Sequence, residues 1–383
     1  GGAALDPPDK RGAAYMMTGL LDEGAGDLDS QAFASAREAL SASFSFDVSD
    51  DTLSISVRIL TENRAEALAL LKTALIKPRF DTEAVERVRQ QVLSILASNA
   101  QDPTDTAQRV WAEQAFGDHA YGASYQGTES SITALTRADL LAAHQNLLVR
   151  DAVSVSAVGD ITAEELGPIL DDLLGDLPAG SALESPPLEL DIPAGLTLVD
   201  ITTPQSVAIF GHRGIDRADP DFFAAFILNT ILGGNGIESR LTAEVREKRG
   251  LTYGISTVLL TKDHANVMLG QVASANDRIG AAIEVIRDEW SKLAHDGVTA
   301  EELQAAQTYL TGAYPLRFDG NSQIARILVG MQRQGLGLDY INTRNARIKA
   351  VTLSEINRVA ARLLQPEALN FVVAGQPTGL KEE

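Results

Sequence analysis

Alternating apolar and polar residues mark strands in the first half of the chain, and wider spacing marks helices. Leu53, Ile55 and Val57 are separated by polar residues, which is the period of two that a half-buried strand shows. Residues 43–48 are its predicted hairpin partner, with the turn at 49–51. The pattern further predicts a helix that opens at Pro7 and runs to about Leu21, helices at 29–40, 63–76, 82–99, 104–116, 137–147 and 162–175, and a strand at 152–158.

The second half of the chain has a similar mixture of strands and helices. Its pattern predicts strands at 196–202, 206–213, 251–259, 264–272 and 369–374, and helices at 218–232, 238–249, 276–294, 299–313, 320–335 and 352–364. Strand hairpins that are interrupted by helix pairs are typical of α+β domains. We therefore predict an α+β fold of two domains, each a mixed, mostly antiparallel sheet with helices packed on one face.

The two halves also match each other residue by residue. Residues 134–159 align with 350–375 at a constant offset of 216, so that Thr136 meets Thr352 and Gly159 meets Gly375. Residues 13–21 align with 224–232 at an offset of 211. Because solenoid units span only roughly 20–50 residues, the repeat indicates two copies of one domain. The predicted domains are 1–178 and 196–383, and the proline-rich residues 179–195 are the predicted linker.

The first copy lacks counterparts for two strands of the second copy. At the offset of 211, residue 1 corresponds to His212, and the predicted strands 196–202 and 206–213 begin before that point. We therefore expect the natural protein to be longer at its N-terminus, with room there for a targeting segment.

The amino-acid composition excludes several classes of function. Of 383 residues, 45% are apolar, and no run approaches the roughly 18–20 apolar residues of a membrane span. The formal charge of −20 argues against nucleic acid as a partner, because phosphate binding needs clustered lysine and arginine. The chain has no cysteine, which rules out thiolate catalysis and cysteine-bound zinc. A chain without cysteine suits the periplasm and the cytoplasm equally.

The sequence offers little evidence for a helical metal site or for a phosphate-binding loop. The five histidines, at positions 119, 144, 212, 264 and 295, include no pair at the i, i+3 or i, i+4 spacing of a helical metal site. A glycine-rich connection between two predicted helices, formed by Gly233, Gly234, Asn235 and Gly236, is a weak phosphate-loop candidate because no strand precedes it. A simple connection between helices is the alternative interpretation.

An arginine and a tyrosine form the strongest candidate site. Ser239 opens a predicted helix and Gly250 is placed as its C-terminal cap, so Arg246 falls in the last turns. Tyr253 is predicted at the start of the next strand, on the same face as the apolar residues 251 and 255. Two rigid elements would then hold a guanidinium and a phenol at one spot, where both can grip a peptide carbonyl or an oxyanion. The alternative is a surface arginine and a core tyrosine.

Taken together, the chain resembles the family of inverted zincins that includes pitrilysin, insulinase and the mitochondrial processing peptidase. The resemblance covers nearly the whole chain, in order, and is carried by residues 6–12, 204–205, 219–221, 232–234, 239–241, 246–253, 299–303 and 350–375. Zinc-binding members carry His-x-x-Glu-His on the first helix and a further glutamate on a later helix. The corresponding positions here are Tyr15, Thr18, Gly19 and about Ile95. None of these side chains can bind zinc or act as the base.

The resemblance implies a role in a two-subunit enzyme. In such members one subunit holds zinc, while the other supplies an arginine and a tyrosine seven residues apart, the spacing of Arg246 and Tyr253 (253 − 246 = 7). The chain would bind no cofactor itself, and a homologous zinc-binding partner would cleave peptides that both subunits hold. Residues 233–236 fall where the zinc-free mitochondrial subunit has its substrate loop. Bacterial pairs of this size suggest the periplasm. The alternatives are a structural core subunit and a self-associating peptide-binding module.

Overall fold

The computed structural model describes residues 1–180, 183–234 and 238–382, which divide into two compact units that interleave along the chain. Unit 1 contains Gly1–Ser98, His119–Pro186 and Asp319–Gly335; unit 2 contains Asn99–Asp118, Pro187–Phe318 and Leu336–Glu383. Each unit therefore includes one segment from the other half of the sequence. The assignment of two tandem domains at 1–178 and 196–383 stays a prediction.

Unit 1 is mostly helical and contains one hairpin. Strands β1 (Ser43–Val48) and β2 (Leu53–Arg58) pair antiparallel, as the alternating pattern predicts. The helices are α1 (Ala13–Thr18), α2 (Ser30–Ala39), α3 (Arg64–Ile76), α4 (Thr82–Asn99), α6 (Glu129–Ala134), α7 (Arg137–Leu147), α8 (Ala163–Leu174) and α12 (Asn321–Arg333), while α5 (Pro103–Phe116) belongs to unit 2. Helix α1 is shorter than predicted, because turns replace it after Thr18.

Unit 2 is built on a five-stranded mixed sheet with the strand order β3-β7-β4-β6-β5. Its strands are β3 (Gly195–Asp200), β4 (Gln205–Arg213), β5 (Ile255–Thr261), β6 (Asn266–Ala275) and β7 (Asn370–Gly375). Only β3 and β7 pair parallel; the other neighbours are antiparallel. Its other helices are α9 (Phe222–Leu232), α10 (Ile279–Asp296), α11 (Ala300–Ala313), α13 (Tyr340–Ala350) and α14 (Leu353–Leu363). The α+β class predicted from the sequence is confirmed.

The central strands of the unit 2 sheet are covered on both faces. Phe210 of β4 and Phe371 of β7 stack at 5.2 Å and join the large core that α9, α10 and α14 complete. Val207 and Ile209, which alternate with Phe210 and point to the opposite face, are also buried. Helix α5 lies against β4 and β7. Helices α9, α10 and α14 cover one face of the sheet, and α5 covers the other. Both faces of β7 are therefore shielded, which explains why every residue of β7 is buried.

The predicted strand at 152–158 was wrong. Ala152 ends a short 3-10 turn, and residues 153–158 are assigned to no strand. The equivalent strand of the second copy, β7, is hydrogen-bonded to β3 on one side and to β4 on the other. The described residues of unit 1 contain no counterparts of those two neighbours, so this segment has no ladder to join.

The same capping motif begins equivalent helices in the two copies of the repeat. Thr136 and Asp139 form a capping box at α7, and Thr352 and Glu355 form the same box at α14, 216 residues later. In each, the threonine hydroxyl accepts the N–H of the acidic residue, whose carboxylate accepts the N–H of the threonine. None of the helices within the described ranges is long and apolar enough to cross a membrane.

Candidate functional site

Arg246 lies on a π-helix. The predicted helix at 238–249 starts where expected, because the Ser239 hydroxyl accepts the N–H of Thr242 at 3.3 Å. From Thr242 to Glu247 the helix widens to π geometry. It ends at Gly250, whose φ of +59° is the left-handed conformation predicted for the cap. Single π turns inside helices occur often at functional sites. Arg246 itself is exposed.

Tyr253 lies in a tight turn rather than in a strand. Strand β5 starts at Ile255, so the prediction of a strand from residue 251 was wrong at its start. The Thr252 hydroxyl donates to the Ala273 carbonyl at 2.6 Å and accepts the N–H of Gly254 at 3.0 Å, and Ser274 donates to the Leu251 carbonyl. These side-chain hydrogen bonds take the place of the backbone hydrogen bonds that a strand would make between residues 251 and 254.

The turn presents the Tyr253 ring to solvent. Tyr253 is 90% exposed, whereas Ile255 is 8% exposed. The prediction that both residues share one face of a strand was therefore wrong, and the core-tyrosine alternative is also excluded. Thr252 is 9% exposed and anchors the turn that carries the phenol.

The structure brings Arg246 and Tyr253 together. The Arg246 guanidinium carbon lies 5.5 Å from the centre of the Tyr253 ring, within cation–π distance. At this distance the guanidinium keeps its N–H groups free to donate, and the phenol keeps its hydroxyl. Within the described ranges neither side chain has a hydrogen bond or a carboxylate partner.

One acidic side chain of the same helix is paired with two cations other than Arg246. Glu244 pairs with Lys248 and with Arg249, each at 2.6 Å. Hydrogen bonds from these two cations lower the pKa of Glu244 to about 2. The pairing with Arg249 spans five residues, the repeat of a π turn. Arg246 has no ion pair among the described residues and lies next to an exposed phenol, an arrangement suited to binding a carbonyl oxygen or an oxyanion.

The described part of the glycine-rich connection is tightly packed. A Cβ on Gly233 would lie 2.6 Å from the Thr257 hydroxyl, and one on Gly234 would lie 2.6 Å from the Thr230 Cα. The Gly233 carbonyl also accepts the N–H of Thr257 at 2.8 Å. Close packing explains both glycines. Asn235 and Gly236, the other two predicted substrate-binding residues, lie outside the described residues.

The four degenerate zinc positions offer no metal ligands. Thr18 is buried and its hydroxyl donates to the Tyr15 carbonyl at 2.8 Å. Tyr15 packs edge-on against the Tyr125 ring at 5.8 Å. Gly19 has no side chain, and Ile95 is an alkyl group, 38% exposed, on α4. In the part of the chain that the structure describes, no three acidic or histidine side chains are grouped as a metal site would require.

Some other residues of the motifs that carry the resemblance form ion pairs within the fold. Arg240 makes a bidentate pair with Glu302, at 2.6 and 2.8 Å. Asp221 accepts from both Arg358 and Arg362. Arg246 and Tyr253 are instead both exposed, and they lie beside each other without another partner among the described residues.

Sequence reasoning missed two features of the site. The sequence predicts an ordinary α-helix where the structure has a π-helix, and it does not predict the pairing of Glu244 with Lys248, although the i, i+4 spacing of the two residues is visible.

Helix α13 is not predicted from the sequence. Its buried positions are Tyr340, Arg344 and Ile348, and the arginine interrupts the apolar periodicity that would have identified it.

Family models, related sequences and solved structures all indicate the same protein family. Residues 134–310 match the family model described as the peptidase M16 inactive domain, and residues 1–129 match insulinase (peptidase family M16). A non-peptidase homolog from Helicobacter pylori is 26% identical over 97% of this chain and 86% of its own. An uncharacterized zinc protease from Mycobacterium leprae is 25% identical over 92% of this chain and 80% of its own. The crystal structure of a peptidase M16 inactive domain from Pseudomonas fluorescens superposes with a TM-score of 0.93 and 27% identity, covering 100% of this chain and 92% of that one.

Proposed function

The chain belongs to peptidase family M16, the insulinase family, and we propose that it is the zinc-free, substrate-holding subunit of a heterodimeric zinc endopeptidase. It lacks the family's metal ligands at Tyr15, Thr18 and Gly19. A homologous partner with an intact His-x-x-Glu-His helix would supply zinc and the general base. The periplasm is the proposed compartment.

One observation carries this proposal. The Arg246 guanidinium carbon lies 5.5 Å from the centre of the Tyr253 ring, and the two exposed side chains have no other partner among the described residues. An exposed guanidinium and an exposed phenol do not contribute to the packing of unit 2. Both groups donate hydrogen bonds, and attack by a water activated at a partner's zinc would place negative charge on the substrate carbonyl oxygen. The pair therefore fits the role of donors that complete an active centre in trans.

The proposal is tested in the complex reconstituted from this chain and its zinc-bearing partner, with a quenched fluorescent peptide as substrate. Arg246→Ala and Tyr253→Phe are each expected to lower kcat by about 10²–10³, the usual effect of removing an oxyanion donor. If the pair instead holds the ground state, KM rises and kcat is unchanged. The matched controls are Arg213→Ala, an exposed arginine at the end of β4, and Tyr309→Phe on α11. Unchanged kcat and unchanged KM in both site variants would reject the role.

A structural subunit without any part in cleavage is the second candidate. The observation that favours it is the packing of Gly233 and Gly234, where a loop expected to bind substrate is anchored to β5 and α9 instead. A complex that assembles at 1:1 stoichiometry, contains zinc in the partner and binds peptide, yet cleaves equally well with Arg246→Ala, would favour this candidate.

A further inference from the structure

A short connection joins the π-helix to β5 and carries Tyr253. It comprises residues 250–254, which are assigned to no helix or strand, and we call it the Tyr253 turn. Because the turn lies outside both elements, the backbone groups that the helix does not bond need other partners. Three side chains form hydrogen bonds with its backbone: Thr252, Ser274 and Arg278.

The Thr252 hydroxyl makes the most extensive of these contacts. It accepts the N–H of Gly254 at 3.0 Å, which is the local turn in which a threonine bonds the backbone two residues later. It also donates to the Ala273 carbonyl of β6 at 2.6 Å. One hydroxyl thus connects the residues before and after Tyr253 to each other and to the sheet. Thr252 is 9% exposed, so these bonds lie out of water, where hydrogen bonds are stronger.

The anchor on β6 is a rigid part of the sheet. Strand β6 lies between β4 and β5, and its pairing with β5 ends where Ile255 meets Val272. Ala273 and Ser274 therefore lie beside the turn instead of opposite a β5 residue, while both stay paired with β4. The hydroxyl of Ser274, which is 2% exposed, donates to the Leu251 carbonyl. A functional side chain is placed most precisely when a rigid element supports it.

The Tyr253 ring itself has little support from packing. It is 90% exposed. Among the described residues its only ring or hydrogen-bond partner is Arg246, whose guanidinium carbon lies 5.5 Å from the ring centre. The position of the phenol therefore depends on the backbone of the turn rather than on the core. A loose turn would have to be ordered at every binding event, at a cost in conformational entropy.

We propose that Thr252 is a positioning residue: its hydroxyl, supported by that of Ser274, ties the Tyr253 turn to β6 and so fixes the phenol beside Arg246. The catalytic consequence rests on the proposed function, whereas the structural consequence does not. Thr252→Val keeps the shape of the side chain and removes the hydroxyl, which leaves a backbone N–H and a carbonyl without this partner. The turn should then loosen while the phenol and the guanidinium both remain.

The structural consequence is tested by fluorine NMR of the full chain labelled with meta-fluorotyrosine. The Tyr253 resonance is identified by its absence from Tyr253→Phe. Arg246→Gln should move this resonance, because removing the adjacent cation changes the electric field at the ring. In a Thr252→Val background the same substitution should move it severalfold less, and in a Thr252→Ser background nearly as far as in the wild type.

The matched control is Thr257→Val on β5. Thr257 is 4% exposed, and its hydroxyl has no hydrogen bond within the described ranges. This variant removes a buried threonine hydroxyl from the same sheet without loosening the turn. Its Tyr253 resonance should respond to Arg246→Gln as that of the wild type does.

The catalytic consequence is tested in the reconstituted complex with the fluorescent peptide. Thr252→Val should alter the same kinetic constant that Tyr253→Phe alters, by about tenfold or more, because a displacement of about 1 Å can cost about 10² in rate. Thr252→Ser should keep most of the activity, and Thr257→Val all of it. Because Thr252 acts through Tyr253, the double variant Thr252→Val/Tyr253→Phe should be no slower than Tyr253→Phe alone.

The two proposals fail in different ways. Unchanged kinetics in Tyr253→Phe and Arg246→Ala would reject the proposed function, and the NMR comparison would still decide the role of Thr252. An undiminished response to Arg246→Gln in Thr252→Val would overturn the positioning role, as would additive losses in the double variant. If Thr252→Val does not fold, Ser274→Ala takes its place, with the same expected and contradicting results.

Discussion

At the residue scale, the charges around the candidate site are arranged so that one arginine remains available. Glu244 of the same helix pairs with Lys248 and Arg249, and no carboxylate among the described residues pairs with Arg246. The Tyr253 ring centre lies 5.5 Å from the Arg246 guanidinium carbon, and the two side chains share no hydrogen bond. The two donors are thereby held together while both keep free N–H or O–H groups, which is what binding of a peptide carbonyl requires.

Asp6 is a second residue whose environment sets its behaviour. Its carboxylate is 6% exposed and accepts the N–H groups of Gly12, at 3.0 Å, and Ala14, at 3.1 Å, at the start of α1. Burial raises the pKa of Asp6 to about 6, although these N–H groups and Arg11 act in the opposite direction. The folded protein therefore holds this proton more tightly than the unfolded chain does.

The pH dependence of stability should report on Asp6. Because its pKa is raised on folding, its contribution is fully present below pH 3.8 and is lost as the pH rises through about 6. Relative to Asp6→Asn, the wild type should lose about 3 kcal/mol of unfolding free energy between pH 3.8 and pH 7. Urea unfolding at several pH values measures the difference. Asp9→Asn, at an exposed position of the same segment, is the control. Parallel curves for wild type and Asp6→Asn would contradict this assignment.

At the element scale, the π-helix and the turn after it determine where the two donors point. Gly250 ends the helix in the left-handed conformation, and the N–H groups of Gly250 and Leu251 donate to the carbonyls of Arg246 and Val245, each at 2.9 Å. The chain then reverses through the Thr252 turn into β5. An ordinary α-helix over the same residues would rotate Arg246 about the helix axis relative to Tyr253.

Glu302 connects the start of this helix to α11. Its carboxylate accepts from Arg240 at 2.6 and 2.8 Å and from the Thr299 N–H at 2.7 Å, so one side chain completes both a capping box and an ion pair. We expect Glu302→Ala to lower the unfolding free energy by about 2–3 kcal/mol, from the lost cap and a half-buried arginine left unpaired. Chemical denaturation measures this loss.

The matched control for this prediction is Glu301→Ala, one residue earlier in the same first turn and exposed. Its expected cost is within about 0.5 kcal/mol. In a double-mutant cycle, Arg240→Ala and Glu302→Ala should be coupled by about 1–2 kcal/mol. Additive effects would mean that the pair contributes nothing beyond the cap.

At the scale of the whole molecule, the two compact units do not coincide with the two halves of the sequence. Helix α5 comes from the first half but belongs to unit 2, where Gln114 donates to Thr197 at 2.9 Å and accepts from Asn370 at 3.0 Å. Trp111 of α5 is 2% exposed. The second sheet therefore depends on a helix that lies about eighty residues before its first strand.

A fragment containing only residues 196–383 should be incomplete for this reason. Without α5, the outer face of β4 and β7, including Val207 and Ile209, would be exposed to water. We expect this fragment to bind a hydrophobic dye and to melt at a lower temperature than a second fragment in which residues 99–118 are joined to its N-terminus by a flexible linker. Equal melting temperatures and equally weak dye binding in the two fragments would contradict a stabilising role for α5.

The sequence by itself determined what depends on residue identity and local spacing. The repeat, the α+β class, the β1–β2 hairpin and the lack of zinc ligands at Tyr15, Thr18 and Gly19 could all be predicted, because side-chain chemistry and periodicity are local properties. The seven-residue spacing of Arg246 and Tyr253 was also visible, and the Gly250 cap was correctly placed.

Only the tertiary structure decided features that depend on distant partners. Residues 153–158 have the pattern of a strand but form none, because a strand requires neighbours to pair with. Tyr253 is exposed rather than in the core, because Ala273 and Ser274 on another strand fix the turn beside it. Arg344 is buried in a helix that periodicity overlooked, since aromatic rings from two other elements make its burial favourable. Each outcome rests on contacts between residues far apart in the chain, which local pattern does not encode.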